Sequence, residues 1–445
     1  MPLDPKRLAR DAKRAQAQRP DSSIGRETPG VTRALRAGLP DLPGVLDLPD
    51  LPFAGLRVLD ISQGIAGPYC AHILWQQGAE IIKVEPPSGD WGRKVGVVRG
   101  DTSALSIAYN GGKRSICVDA TVEAGRDVLR QLALQADVVV QNFRPQVADR
   151  LGVGHAALAA LRPELVYVSI SGYGPDGPYA DYPASDSVMQ ADSGLMFANR
   201  GVDGTPRRIG MLLADAATGL YAAQACAAAL CRWYRTGRGG HVELNLFDAC
   251  CALQANNLLE HAIAGQAVAG PVSAPNGVFA TCDGSVTLLA LNDAQFAKLC
   301  HALDRDDWLA DPRFVNNASR MEHAALLNRQ VGEIIVTRTT SAWQEQLSRH
   351  DVLHAPVRSY ADVLQHPQAA HRQTFQSIEQ PGLGALPFAG IPARDMRRPA
   401  GPAPENGEHT VALLQEAGFG SHAIDEWLRL GVVRQATVTS AKAIA

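Results

Sequence analysis

The sequence has no run of 18 or more uninterrupted apolar residues, so no segment is expected to cross a membrane as a helix. Residues 216–231 come nearest, but they are rich in alanine and bounded by Asp215 and Arg232, which fits a buried core helix better. No two cysteines are spaced as CxxC. The eight present lie mostly in apolar runs, and Cys250 and Cys251 are adjacent, which does not suit a structural zinc site. They read as free thiols in a reducing compartment, and a cytoplasmic location is expected. The apolar core of a secretory leader is missing near Met1, and Asp4, Asp11, Asp21 and Glu27 are wrong for a transit peptide. There is neither a GxGxxG nor a P-loop motif, so simple dinucleotide and nucleoside-triphosphate readings lose their support. Charge of one sign is also lacking. A net charge of -3 gives no reason to expect nucleic acid or an anionic membrane as partner. His241, His354, His366 and His409 are scattered without ligand spacing, and no metal is expected.

What is present is the composition of an ordinary globular protein, 46% hydrophobic and 20% charged, with length for two or three domains. Residues 1–50 differ from the rest. They join a mixed-charge helical stretch to the Pro-punctuated DLPGVLDLPDLP, and read as an extension that is flexible or packs on a partner surface. From Leu56 onward, short apolar runs alternate with helical spacing. LRVLDIS (56–62), AEIIKVE (79–85), SICVDA (115–120), DVVVQNF (137–143) and LVYVSISGYG (165–174) read as buried strands. Residues 66–79, 124–136 and 157–164 between them read as helices. This β-α-β alternation predicts an α/β fold with a parallel, doubly wound sheet, whose strand-end loops are the usual place for a ligand. Residues 241–262 read as a short strand running into a long helix, and 277–291 as a hairpin around Asp283-Gly284. Residues 294–350 and 359–369 read as helical, a β-rich stretch runs to about 405, and two helices split by Gly418 and Gly420 end the pattern.

One residue stands out. Asp215 is the single charged residue between Arg208 and Arg232, at the head of the most apolar helical run. Aspartate is among the favoured N-cap residues, so a plain cap is one reading. A nucleophile is the other.

The motifs AGPYCAHILWQQGAEIIKVEPPSGD (66–90), NGGKRSICVD (110–119), ADVVVQNFRPQVADRLG (136–152), YVSISGYGPDGPYADYP (167–183), LLADAATGLYAA (212–223), RTGRGGHVELNLFDA (235–249), WLADPRF (308–314) and NGEHT (406–410), in this order, resemble the class III CoA-transferases. That group includes formyl-CoA transferase and carnitine CoA-transferase, together with the α-methylacyl-CoA racemases. The resemblance implies a Rossmann-like large domain with a parallel sheet plus a smaller α+β domain, in an interlocked, ring-shaped homodimer. It places an extension at 1–50, the first part of the CoA-binding catalytic domain at 51–265, the small domain at 270–375, a segment returning to the large domain at 380–435 and a tail at 436–445.

The resemblance also implies the activity: CoA moves from a donor acyl-CoA to an acceptor carboxylic acid through an aspartyl-CoA thioester on Asp215. Coenzyme A is then a substrate, with no tightly bound cofactor. The alternative is a 2-methylacyl-CoA racemase or epimerase, and a catalytically silent CoA-binding protein is a third reading. Racemases of the group carry a His before the position matching Asp186, where this chain has Ser185. Racemisation needs an acid and a base on opposite faces of the substrate, so Ser185 favours transfer. For CoA binding the resemblance implies Gly64, Ile65, Asn110, Gly112, Lys113, Arg114, Asn142, Phe143 and Arg150, with Pro86 and Pro87 after the second strand. Some members place an arginine at Pro86 or Pro87, and Arg93 is expected to supply that charge here. Arg207 and Arg208 would suit a dicarboxylic acceptor, or are solvated loop cations. A Gly-rich loop that covers the site in some members is replaced by AGPVSAPNG at 269–277.

Overall fold

In the computed structural model, residues 51–436 are described, apart from Val202 and residues 266–271. The extension at 1–50, nearly all of the tail and the start of the 269–277 loop lie outside the described residues.

Seven strands form the main sheet. They are β1 (Arg57–Asp60), β2 (Glu80–Glu85), β3 (Arg114–Val118), β4 (Val138–Gln141), β5 (Val166–Ser171), β6 (Gly240–Asn245) and β7 (Val433–Arg434). Their order is β7-β3-β2-β1-β4-β5-β6. Each neighbouring pair is parallel except β7, which runs antiparallel to β3. Val138, Val139 and Val140 are each 0% exposed, because a parallel sheet is covered on both faces. That is why β4 reads as an uninterrupted apolar run. Helix α1 (Ala66–Gln76) and the long α3 (Leu213–Thr236) cover one face. The helix at Glu123–Leu134 and the C-terminal helices at Thr410–Glu416 and Ser421–Leu430 cover the other.

The chain winds outward from β1 through β2 to β3, then returns to lay β4 against the free side of β1. The loops after β1 and β4 therefore leave neighbouring strands in opposite directions and open a crevice at their carboxyl ends. Small residues let α3 approach α1 closely. A Cβ on Gly219 would lie 2.9 Å from the Ala66 carbonyl oxygen and from the Tyr69 ring. Gly237, at φ 69°, closes α3 in the left-handed conformation that glycine adopts without strain.

A second core surrounds the strands Asn276–Ala280, Ser285–Leu289 and Leu353–Pro356, with Trp308, Phe314 and Trp343 in its interior. The hairpin expected at 277–291 is present. The short strand expected at the head of 241–262 is present as β6, and 294–350 is helical as expected, but neither helical stretch is continuous. The first breaks at Gln254 into Leu246–Leu253 and Ala255–Ala264. The second is four α-helices and one 3-10 turn, each interrupted where an Asn or Thr caps the next element or a short loop intervenes. The helix expected at 359–369 is cut before Pro367, whose ring cannot continue the preceding turn. No described helix is long and apolar enough to cross a membrane.

Candidate active site

Asp215 is not the N-cap of its helix. Helix α3 starts at Leu213, its N-cap is Leu212, and Leu212 makes no side-chain cap. Asp215 is the third helical residue. The capping is done from elsewhere. Asp186 opens the short helix α2 (Asp186–Asp192). Its Oδ2 accepts the backbone N–H of Ala214 at 2.8 Å and of Asp215 at 3.3 Å. Its Oδ1 accepts from Gln190 Nε2 at 2.7 Å. Gln190 in turn holds the segment before α3, donating to the Met211 carbonyl and accepting from the Ile209 N–H. Asp186 is 4% exposed and Gln190 is fully buried.

With its helix capped by another residue, Asp215 keeps its own carboxylate free. Among the described residues it has no hydrogen bond or ion pair to that group. The carboxylate is partly buried and faces a cleft of about 410 Å³, lined by Gln63, Trp91, Asn142, Arg144 and Ser185 among others. Burial, and then the nearby charge of Asp186, raise its pKa from the ordinary 3.8 to about 7. Buried carboxyl groups titrate high because the charged form loses its water. Helices bearing Tyr109 and Cys250 also approach it, and both groups are held above their usual pKa, chiefly by burial.

The floor of this cleft is the crevice where the strand order reverses. Asn142 Oδ1 accepts the Gln63 N–H at 2.8 Å, and Asn142 Nδ2 donates to the Gln63 carbonyl at 2.7 Å. The two strand-end loops are thereby clamped together. Gly64 sits at φ 79°, and a Cβ there would fall 1.9 Å from the Trp91 ring. Asp90 Oδ1 accepts from Gly64 N and Gly92 N, both at 2.8 Å, which fixes Trp91 over the glycine. Ile65 is buried at the start of α1. A second cleft of about 440 Å³, between Ile61, Val84, Pro86, Pro87 and Asp119, shares Gln63 and Phe143 with the first. Phe143 is held by its N–H to Gln141 Oε1 at 2.8 Å.

The structure brings Gly64, Ile65, Asn142, Phe143 and Asp215 to one region. It uses the cations differently. Lys113 has a side chain at 0% exposure, and its Nζ donates to Asp60 Oδ2, the Pro68 carbonyl and Asn110 Oδ1 at 2.8–2.9 Å. Burial lowers its pKa to about 8. Asn110 is thus occupied as well. Gly112, at φ 74°, packs its backbone on Trp75. Arg93 pairs with Glu85 through two bonds of 2.6 Å and donates to the Pro404 carbonyl. Arg114 bridges Glu80 and Glu416. Buried charges are tolerable only when paired in this way. Arg150 is exposed on the helix Val147–Arg150 and lines neither cleft. Arg144 does line the Asp215 cleft and has no carboxylate partner among the described residues. Sequence reasoning passed over Arg144, Gln63, Trp91 and Tyr182. Arg144 directly follows Phe143, so its neighbour was the signal. Arg207 pairs with Asp203, and Arg208 donates to Ser187 Oγ, next to Asp186. No group of three or more His, Cys, Asp or Glu suited to a metal occurs among the described residues.

The profile described as CoA-transferase family III matches residues 53–410. Succinate–glutarate CoA-transferase of Agrobacterium fabrum is 33% identical over 387 residues, 82% of this chain and 95% of that protein. Acetyl-CoA:oxalate CoA-transferase of Acetobacter aceti is 35% identical over 331 residues, 73% of this chain and 85% of that protein. The crystal structure of a CAIB/BAIF family protein from Brucella suis superposes with a TM-score of 0.75 at 32% identity, covering 82% of this chain and 99% of that one.

Proposed function

Because the chain belongs to CoA-transferase family III, we propose that it moves CoA from a donor acyl-CoA to an acceptor carboxylic acid, with Asp215 as the covalent carrier. The observation that carries this reading is a partly buried carboxylate, free of internal partners, in the wall of a cleft at the sheet's switch point. The ionised carboxylate attacks the thioester carbonyl and expels CoA thiolate, which leaves a mixed anhydride. The thiolate then attacks the Asp215 carbonyl and releases the donor acid, so that CoA is held as an aspartyl thioester. The acceptor carboxylate attacks that thioester, expelling the thiolate again. The thiolate takes the acceptor's carbonyl and restores Asp215. Splitting one exchange into such steps is ordinary covalent catalysis. A carboxylate suits it because each intermediate is itself an activated acyl group.

The remaining assignments follow from shape. The thioester end of CoA occupies the cleft beside Asp215, and the rest of the molecule extends past Phe143 into the second cleft. Asn142 and Phe143 contact it directly, and Gly64 and Ile65 shape the loop beneath Trp91. Lys113, Arg114 and Arg93 support the loops from below, with Asn110 and Gly112. Phosphate charge is met by Arg144 and the exposed Arg150. The relatives act, by their names, on succinate, glutarate and oxalate, and a dicarboxylic acid is the acceptor class we assign. A homodimer, a small domain built on the 274–352 core and a cytoplasmic location complete the reading.

The test is chemical. Incubation with succinyl-CoA and hydroxylamine should convert Asp215 to a hydroxamate, detected by peptide mass spectrometry. CoA transfer between acids with no modification of the Asp215 peptide, and with activity kept in Asp215→Asn, would refute the assignment.

A further inference from the structure

We propose that Asp186 is a positioning residue for Asp215: its buried carboxylate takes the N–H groups at the start of α3 and so leaves Asp215 free to face the cleft. Three observations carry this. Helix α3 has no cap of its own, yet its first-turn N–H groups at 214 and 215 both end on Asp186 Oδ2. The other oxygen of Asp186 is anchored by Gln190, whose amide also ties down Ile209 and Met211, so the whole approach to α3 is built around one carboxylate. Asp186 is also 4% exposed, although Ser185 beside it lines the cleft. An asparagine would cap as well. An aspartate brings a charge that a cap does not need, placed where it opposes ionisation of Asp215.

The surroundings leave Asp186 as the main partner in that opposition. From α1 and the helix Ala104–Asn110 come Tyr69 and Tyr109, and from the helix Leu246–Leu253 comes Cys250; all three stay neutral through the working range because burial raises their pKa. Among the described residues, Arg144 is the one cation lining the cleft. The charge at 186 therefore adds to burial in raising the pH at which Asp215 becomes a nucleophile.

This rests on Asp215 as the carrier, so the experiment separates the two. Asp186→Asn keeps an acceptor for the helix and loses the charge. The acid-side midpoint of kcat should move down by about one pH unit or more, as expected when a nearby like charge is removed. Asp186→Ala loses the cap too, and kcat should drop by at least ~30-fold, with KM for acyl-CoA changing less than ~3-fold. A stability cycle needs no activity: the rise in melting temperature on Asp215→Asn at pH 8 should shrink in the Asp186→Asn background. An unmoved kcat midpoint in Asp186→Asn, or an unchanged stability gain in the cycle, overturns the proposal. Activity persisting in Asp215→Asn overturns the carrier assignment instead, and the stability cycle then still decides whether the two carboxylates are coupled.

Discussion

Replacing Asp215 by asparagine should make the protein more stable, and only above about pH 5. The sign follows from the raised pKa. Folding lifts the group from 3.8 to about 7, so between those values the folded chain holds a proton that the unfolded chain has released. Stability therefore falls as pH rises through this window, and the loss is complete above the folded value. At ~1.4 kcal/mol per pH unit the full penalty would approach ~4 kcal/mol. Asp215 is only partly buried and faces an open cleft, so solvent screening cuts this to about 2 kcal/mol. Asparagine has no charge to desolvate and escapes the penalty. At pH 8 the variant should melt ~2–5 °C higher than the parent, and at pH 4.5 within about a degree of it. Paired thermal melts at fixed scan rate, from pH 4.5 to 8.5, measure this directly. An equal difference at both ends, or a less stable variant at pH 8, would refute the picture of a desolvated, like-charge-opposed carboxylate.

Five further outcomes are expected. The same Asp215→Asn variant should lose at least ~10³-fold in kcat while still binding CoA in calorimetry, a barrier increase of ~4 kcal/mol. In the parent, kcat should rise from pH 5.5 towards a plateau above about pH 7.5, because the proposed nucleophile must first lose a proton held to about pH 7; a flat profile across that range would contradict it. Lys113→Met should cost about 3 kcal/mol in denaturant titration by leaving Asp60 buried with only Lys83 for a cation, whereas Arg144→Gln should leave stability unchanged and raise KM several-fold. In deuterated water, proton NMR should show no deuterium entering C2 of a 2-methylacyl-CoA, since the proposed transfer through Asp215 touches only the carbonyl; uptake at the rate of turnover would return the racemase reading.

The sheet was legible because parallel strands advertise themselves. Val138–Val140 must be apolar on both faces, and nothing but a covered strand explains such a run between two helical segments. The single carboxylate in an alanine-rich helix was legible for a similar reason, since composition there leaves little else to notice. Its neighbourhood was not. An aspartate near a helix start looks the same in sequence whether it caps that helix or is spared from capping it. Only the placement of Asp186, 29 residues earlier, decides the matter. Helix breaks at Gln254 and before Ala324 were also hidden, because no glycine or proline marks them.

The cations show the same limit from the other side. Lys113, Arg114 and Arg93 lie in loops and strand ends where phosphates bind in many α/β proteins, and their charge alone recommends them. Charge is a local property of the sequence, but availability is a property of the partners, and those are distant. Glu416 lies 302 residues from Arg114, and Asp60 lies 53 from Lys113. Asp60, Lys83, Asp90, Lys113, Glu85 and Arg93 together form a buried ionic layer under the crevice. Such a layer is expensive to assemble, and apolar residues of similar volume would stabilise the fold as well or better. What it supplies here is direction. Asp90 reaches up to the Gly64 and Gly92 N–H groups, and Lys83 beneath it balances the charge, so Trp91 is held over a glycine at the mouth of the cleft. The layer and the Asp186 network thus do one job from two sides. Each spends a buried carboxylate on backbone N–H groups, and each leaves a side chain, Trp91 in one case and Asp215 in the other, with nothing to bind except what enters the cleft.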